Sequence, residues 1–198
     1  MEQSVPLIGL TGGMGAGKST ALQALERLGA AVQSSDAVVH ELYEGTRLRE
    51  AVIARWGEEV APNDKVDRAA VARRAFADDE GRAWLEAVVW PLVGERMGAW
   101  LEQARALEPA PRAIVIEVPL LFEAEMEGTY DVTIAVVASE PLRERRAAER
   151  GHALTAERAA RQLSQEEKAQ RATYVIENDG SVQELERKLS GVLDKLGR

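Results

Sequence analysis

The sequence predicts an α/β fold built on a five-stranded parallel sheet with flanking helices. Five short segments are rich in apolar and β-branched residues without the alternation of a half-exposed strand, which is typical of strands covered on both faces. They are residues 6–10, 30–33, 113–118, 132–137 and 174–177. Helical patterns lie between several of these segments, and alternating strands and helices form parallel sheets.

Two helical patterns have clear ends in the sequence. The first covers residues 18–28 directly after the first strand, and Gly29 suits the position that follows a helix C-terminus. The second covers residues 139–150 and ends before Gly151. These two helices are therefore predicted to connect strands of the sheet.

Residues 37–108 contain no convincing strand and exceed the length of a single connection in a compact unit. We predict a helical insertion with breaks at Gly57, at residues 62–64 and at Pro91. All four tryptophans of the chain lie in this segment, where we expect them to pack in a core. They are Trp56, Trp84, Trp90 and Trp100.

Length and charge limit the classes of function. The 198 residues predict a single domain over residues 1–198. The chain carries 33 acidic and 25 basic residues, and a net charge of −8 repels a phosphate backbone, so we expect no nucleic-acid partner. The absence of cysteine excludes disulfides and thiolate metal sites.

Membrane and export signals are not found in the sequence. No apolar stretch approaches the roughly 20 residues that a spanning helix needs. Glu2 and Gln3 precede any apolar run, so the cationic start of a signal peptide is missing. We therefore expect a cytoplasmic protein without a membrane partner, and a monomer is favoured.

Residues 12–19 read Gly-Gly-Met-Gly-Ala-Gly-Lys-Ser and fit the P-loop pattern G-x-x-x-x-G-K-[ST] between a strand and a helix. Glycines let main-chain N–H groups turn inward and hold phosphate at a helix N-terminus. Lys18 is predicted to reach the β- and γ-phosphates of ATP, and the Ser19 hydroxyl to take a position on nucleotide-bound Mg²⁺. The predicted nucleotide contacts are Gly13, Met14, Gly15, Ala16, Gly17, Lys18, Ser19 and Thr20.

Asp36 follows the second predicted strand. Ligands of open α/β sheets bind at the carboxyl ends of strands, where a carboxylate accepts the proton of an attacking hydroxyl or holds a metal-bound water. The alternative is an N-cap for a helix that starts near Ala37. Beside a P-loop we favour the catalytic role, and the capping role stays open.

Five ordered motifs carry a resemblance to a known enzyme family. They are the P-loop of residues 9–20 followed by Asp36, Val66-Asp67-Arg68 with Val71, Pro119-Leu120-Leu121-Phe122-Glu123, the spacing of Arg146, Arg150, Arg158 and Gln162, and Asn178 with Gly180. Together these residues resemble the dephospho-CoA kinase family across nearly the whole chain.

The resemblance implies an adenylate-kinase-like fold, with an acceptor-binding insertion over residues 37–108 and a lid over residues 139–171. It implies transfer of the ATP γ-phosphate to the ribose 3′-hydroxyl of dephospho-CoA, which gives CoA and ADP. The implied catalytic residues are Lys18, Asp36 and Arg146. The implied additional nucleotide contacts are Arg150 and Asn178. The implied dephospho-CoA contacts are Asp36, Arg68, Pro119, Leu120, Leu121 and Glu123.

Several of these residues also have a structural alternative. Arg68 fits a solvated residue in the first turn of a helix capped by Asp67. Residues 119–123 fit a helix start with proline in its first position. Asn178 fits a plain turn, and Glu117 either orders a metal-bound water or faces solvent.

The sequence departs from the family pattern at three positions. Trp90 stands where the family usually has histidine, Arg143 where glutamine is frequent, and Thr173 where aspartate is frequent. Because glutamates share the segment, we expect Arg143, Arg145 and Arg161 to lie on solvated helix faces with i,i+4 ion pairs.

Two other functions remain open from the sequence. One is a nucleoside or nucleotide kinase of the same P-loop branch, which the motifs beyond the P-loop do not favour. The other is a nucleotide-dependent switch, although the guanine motif N-K-x-D is absent. The two histidines, His40 and His152, receive no catalytic role.

Overall fold

The computed structural model describes residues 4–149 and 162–197, and its centre is one five-stranded parallel sheet. The strands are β1 (Leu7–Gly12), β2 (Ala31–Ser34), β3 (Ile114–Glu117), β4 (Val132–Val137) and β5 (Tyr174–Glu177). Their order in the sheet is β2-β3-β1-β4-β5. The predicted fold class is confirmed, and each predicted strand lies within two residues of an observed one.

The register brings the carboxyl ends of the strands to one edge. Ser34 at the end of β2 pairs with Glu117 at the end of β3, and Leu10 of β1 pairs with Glu117 from the other side. Gly12 of β1 pairs with Val136 of β4. The segments that follow these strands therefore start from the same edge of the sheet.

Eight α-helices lie in the described part of the chain, and three short 3-10 turns accompany them. The helices are α1 (Lys18–Arg27), α2 (Ser35–Glu44), α3 (Thr46–Trp56), α4 (Arg68–Ala75), α5 (Asp79–Arg105), α6 (Glu140–Glu149), α7 (Gln165–Arg171) and α8 (Val182–Leu196). None of these described helices is long and apolar enough to cross a membrane.

The chain divides into two compact units. The sheet unit contains the residues up to Ser34 and those from Gln103 onward, and the helical unit is Ser35–Glu102. The predicted insertion of residues 37–108 and the predicted lid of residues 139–171 are functional divisions, and both stay predictions.

The core of the sheet unit packs α1 and α8 against strands. Leu25 of α1 and Leu189 of α8 are fully buried with Ile8, Leu10 and Ile134 of the sheet. The inward residues of α8 recur every three to four positions, as in an amphipathic helix. A capping box closes its start, where Ser181 and Glu184 satisfy each other's main-chain N–H groups.

The helical unit has its own apolar core. Leu48, Val52, Val60, Val71 and Leu92 form its buried cluster. At its margin, Trp56 and Trp84 meet edge to face with ring centroids 4.8 Å apart. Trp90 is 61% exposed, so the prediction that it packs in a core is wrong.

The predicted break at Pro91 is also wrong, because α5 continues through it from Asp79 to Arg105. An internal proline removes one main-chain hydrogen bond and costs roughly 3 kcal/mol. Leu92 and Val93, the next two residues, are buried, and their packing offsets that cost. The other two predicted breaks are confirmed, since α3 ends before Gly57 and a 3-10 turn covers Pro62–Asp64.

Candidate active site

The P-loop connects β1 to α1, as its pattern predicts. Gly15 and Gly17 have φ angles of +76° and +97°, which L side chains rarely adopt. The Lys18 ammonium donates to the carbonyls of Gly12 and Gly13 at 3.1 and 3.2 Å. The lysine therefore lies folded over the start of the loop.

Arg143 of α6 contacts this loop directly. Its Nε donates to the Met14 carbonyl at 3.0 Å. A Cβ atom at Gly15 would lie 2.5 Å from the main-chain oxygen of Arg143, so only glycine fits this approach. The expectation that Arg143 lies on a solvated face is wrong, because the α6 backbone packs against the loop. For Arg145 the expectation is confirmed by an exposed pair with Glu149 at 3.8 Å.

Asn178 contacts the loop from another segment. It is 5% exposed, and its side-chain amide donates to the Ala16 carbonyl at 2.8 Å. A Cβ atom at Gly17 would lie 2.1 Å from this amide nitrogen, which explains glycine at the position. The alternative of a plain solvent turn is wrong for Asn178, since its side chain is buried against the P-loop.

Arg146 lies one helical turn beyond Arg143. One of its terminal nitrogens donates to the Asn178 carbonyl at 3.1 Å, and the other is buried without a hydrogen-bond partner among the described residues. That second nitrogen would lie 3.7 Å from a Cβ atom at Gly17. An unpaired guanidinium donor thus lies beside the phosphate loop, where an anion would satisfy it.

Glu117 is buried at the end of β3. Its exposed fraction is 6%, and its carboxylate accepts a hydrogen bond from the Ser34 hydroxyl at 2.8 Å. The alternative in which Glu117 faces solvent is therefore wrong. The strand order explains the pair, because β2 and β3 are neighbours whose last residues stand in register.

A buried ion pair fixes the turn that follows β3, and sequence reasoning missed it. Lys168 is fully buried, and its ammonium lies 2.9 Å from the Glu123 carboxylate and donates to the Pro119 carbonyl at 2.6 Å. The same Glu123 oxygen accepts from the main-chain N–H of Leu163 at 2.8 Å, and Thr11 donates to Pro119 at 3.3 Å. The sequence Gln-Glu-Glu-Lys of α7 looks solvated, so nothing local marks Lys168 as buried.

The turn of residues 119–123 is not helical, so the alternative of a helix start is wrong. Leu121 is fully buried, and a Cβ atom at Gly9 would clash with it at 2.5 Å. Leu120 is 40% exposed. Of the two leucines predicted to contact dephospho-CoA, Leu120 therefore presents its side chain to solvent.

In the helical unit, Asp36 lies in the first turn of α2 and is exposed. The helix begins at Ser35, one residue before Asp36. Asp36 therefore lies inside the helix and does not cap it, which was the alternative left open by the sequence. A carboxylate in a first turn interacts favourably with the helix dipole. This placement leaves its carboxylate accessible to a ligand.

Arg68 begins α4 of the same unit, after Asp67 caps the helix by accepting from the N–H groups of Ala69 and Ala70. Its guanidinium lies 2.5 Å from Nδ1 of His40 and 5.1 Å from the ring centroid of Tyr43. Burial raises the pKa of the Tyr43 phenol, and the Arg68 cation acts in the opposite direction. Arg68 is exposed yet held by two side chains of α2, an arrangement that the sequence did not predict.

Thr173, where aspartate is frequent in the family, forms hydrogen bonds with Thr133 directly before β5. Its hydroxyl accepts from the Thr133 N–H at 3.1 Å, and its own N–H donates to the Thr133 hydroxyl at 3.0 Å. Three arginines of the predicted lid lie outside the described residues, namely Arg150, Arg158 and Arg161. The roles predicted for them stay predictions.

Comparisons with known proteins agree along nearly the full chain. The family model described as dephospho-CoA kinase matches residues 6–184. Dephospho-CoA kinase of Thermus thermophilus is 39% identical over 195 residues, covering 96% of this chain and 91% of that protein. Dephospho-CoA kinase of Thermobifida fusca is 36% identical over 196 residues, with 96% of each chain covered.

Solved structures show the same fold. A crystal structure from Thermus thermophilus matches with a TM-score of 0.80 at 37% identity, covering 98% of this chain and 99% of that one. A dephospho-CoA kinase from Campylobacter jejuni matches with a TM-score of 0.69 at 23% identity, covering 96% of each chain. The family match over residues 6–184 and the two relatives above 30% identity lead to one conclusion: the chain belongs to the dephospho-CoA kinase family of ATP-dependent P-loop kinases.

Proposed function

We propose that this chain transfers the γ-phosphate of ATP to the ribose 3′-hydroxyl of dephospho-CoA and releases CoA and ADP. The observation that carries the proposal is a complete P-loop between β1 and α1 in a chain of this family. In the reaction, a bond forms between the 3′ oxygen and the γ-phosphorus. The bond from that phosphorus to the oxygen bridging to the β-phosphate breaks, and the hydroxyl proton leaves to a base.

The sheet unit supplies the groups that bind the nucleotide phosphates. Lys18 and the main-chain N–H groups of the loop hold the β- and γ-phosphates, and Arg146 stabilises the charge that develops during transfer. One buried donor of Arg146 has no hydrogen-bond partner among residues 4–149 and 162–197, which supports this role. Arg150 is proposed as a further nucleotide contact.

The residues of the loop also fit Mg²⁺. Ser19 directly follows Lys18, is exposed, and makes no hydrogen bond through its hydroxyl within the described residues. We assign Ser19 as the side chain that holds the ion with the nucleotide oxygens. When bound there, Mg²⁺ supplies neutralisation of the phosphate charge.

Asp36 is proposed as the base. It accepts the proton of the 3′-hydroxyl, or orients that hydroxyl toward the phosphorus. Arg68 is proposed to bind phosphate oxygens of dephospho-CoA through its planar guanidinium, which His40 and Tyr43 hold in place. Pro119, Leu120, Leu121 and Glu123 are proposed to form or support a wall of the acceptor pocket.

The reaction is tested by incubating the purified protein with Mg·ATP and dephospho-CoA, adenosine or AMP, and by identifying products by mass. We expect CoA and ADP in equal amounts and little product from the other two acceptors. Phosphorylated adenosine or ADP from AMP, without CoA, would instead indicate a nucleoside or nucleotide kinase.

The role of Asp36 is tested by Asp36→Asn, which removes the base and keeps the size of the side chain. We expect the turnover rate to fall by about 10²- to 10⁴-fold, the usual contribution of a general base, while the Kd for ADP stays the same. Glu44→Gln, an exposed change on the same helix, is the matched control. Unchanged turnover in Asp36→Asn would remove Asp36 from the mechanism.

A further inference from the structure

We propose that Arg143 and Asn178 are positioning residues that hold the P-loop in its phosphate-binding conformation. They do so through hydrogen bonds to the main-chain carbonyls of Met14 and Ala16. The inference rests on the proposed function, because it concerns how the same loop binds ATP. Arg143 stands where glutamine is frequent in the family, and the proposal gives this arginine a role.

The geometry of the peptide bond connects each carbonyl to the next amide. In a trans peptide the C=O and the following N–H point in opposite directions. Because the Met14 carbonyl points to Arg143, the Gly15 N–H points away from it. Because the Ala16 carbonyl points to Asn178, the Gly17 N–H points away in the same manner.

These two amides are available to a ligand. Within the described residues, neither the Gly15 nor the Gly17 N–H donates a hydrogen bond, whereas the Ala16 N–H is used by the Gly13 carbonyl at 3.2 Å. A P-loop binds phosphate through such inward amides. Arg143 and Asn178 thus hold two peptides of the loop so that the N–H groups of these peptides point away from the two side chains.

The loop needs this support because its conformation is costly. Gly15 and Gly17 both adopt positive φ angles, and several N–H dipoles directed at one point repel each other before an anion arrives. A hydrogen bond at each carbonyl favours the bound orientation of the peptide in advance. Binding then requires less reorganisation, which is the general gain from preorganisation.

Both side chains are themselves fixed. Arg143 lies on α6, whose backbone packs against Gly15. Asn178 donates its main-chain N–H to Val137 at 2.8 Å and accepts at its carbonyl from Arg146. The two side chains that hold the loop therefore come from the segments that follow β4 and β5.

The experiment measures the Kd for ADP by calorimetry, and the unfolding temperature without ligand, in wild type and four variants. Arg143→Leu removes the donor and the charge, and Arg143→Gln removes the charge but keeps an amide donor. Asn178→Asp places an oxygen where the donor stood and adds a negative charge beside Gly17 of the loop. Arg145→Gln is the matched control, since that arginine is an exposed neighbour on α6.

We expect Arg143→Leu to weaken ADP binding by about tenfold or more, the effect of one lost hydrogen bond. Asn178→Asp should weaken it at least as much, because its added carboxylate also repels the phosphates. Arg143→Gln should stay within about threefold of wild type, which is less than half of the tenfold effect in free energy. The unfolding temperatures of Arg143→Leu and Arg143→Gln should match. A difference in Kd between these two variants then reflects the hydrogen bond and not a general folding defect. Arg145→Gln should bind as wild type.

Equal losses in Arg143→Gln and Arg143→Leu would overturn the proposal, because charge and not the hydrogen bond would then be responsible. An unchanged Kd in Arg143→Leu would overturn it as well, and this variant remains decisive if Asn178→Asp fails to fold. If the wild-type protein does not bind ADP, the proposed function fails and this inference fails with it.

Discussion

Two ion pairs of similar chemistry, one in each unit, differ in their surroundings. In the sheet unit, Lys168 and Glu123 are 0% and 14% exposed, and their charged atoms lie 2.9 Å apart. In the helical unit, Arg96 and Glu41 are 53% and 50% exposed at 3.2 Å. A buried charge is costly without its partner, whereas water screens an exposed pair and replaces its partner readily. The first pair therefore fixes geometry, and the second changes stability little.

The difference extends through both units. The sheet unit contains buried polar contacts near its carboxyl edge, such as Glu117 with Ser34 and Asn178 with Ala16. The helical unit has an apolar buried cluster, and its described ion pairs lie among exposed side chains. We infer that buried hydrogen bonds set the shape of the nucleotide site, and that apolar packing sets the stability of the helical unit.

The largest effect is expected for Lys168→Met. It leaves the Glu123 carboxylate, which is 14% exposed, without its cation, and breaking a buried pair costs about 3–5 kcal/mol in free energy of unfolding. Urea denaturation followed by circular dichroism measures the change. The double variant Lys168→Met/Glu123→Leu removes both charges and should recover part of the loss. A cost below about 1 kcal/mol for the single variant would contradict the comparison.

A similar or somewhat smaller effect is expected for Leu48→Ala in the helical unit. Leu48 is 1% exposed, and truncating a buried leucine costs about 2–5 kcal/mol. All four tryptophans lie in this unit, so tryptophan fluorescence reports its unfolding selectively. The midpoint in urea should fall. A shift in the urea midpoint no larger than that of an alanine substitution at an exposed position would show that this cluster does not determine the stability of the helical unit.

The smallest effect is expected for Arg96→Gln. The exposed pair with Glu41 contributes at most about 1 kcal/mol, and salt screens it further. The same fluorescence titration at low and high salt measures the change, with Glu41→Gln as the partner variant. A loss as large as that of Lys168→Met would remove the distinction between the two units.

The sequence predicts the parts of this molecule that depend on local pattern. The five strands, the P-loop with Lys18, and Asp67 as the cap of α4 all follow from short-range rules. Contacts between distant segments were not predictable, because the strand order β2-β3-β1-β4-β5 was unknown. Lys168 illustrates this limit, since its partner Glu123 lies 45 positions earlier in the chain.

The contact of Arg143 with the P-loop was also not predictable from the sequence. In a helix with mixed charges, an arginine usually forms pairs with glutamates one turn away, as Arg145 does. Only the packing of α6 on Gly15 distinguishes Arg143, and helix packing has no local signature in the sequence. Likewise, Pro91 is a strong sequence signal for a break, yet buried neighbours keep α5 continuous.

Phosphoryl transfer to the 3′-hydroxyl is tested most directly with ATP labelled in its γ-phosphate, together with dephospho-CoA and its 3′-deoxy and 2′-deoxy forms. We expect label to reach dephospho-CoA and the 2′-deoxy form, whereas the 3′-deoxy form should stay unlabelled. Transfer of label to the 3′-deoxy form, or release of labelled phosphate to water without CoA, would contradict phosphoryl transfer to the 3′-hydroxyl.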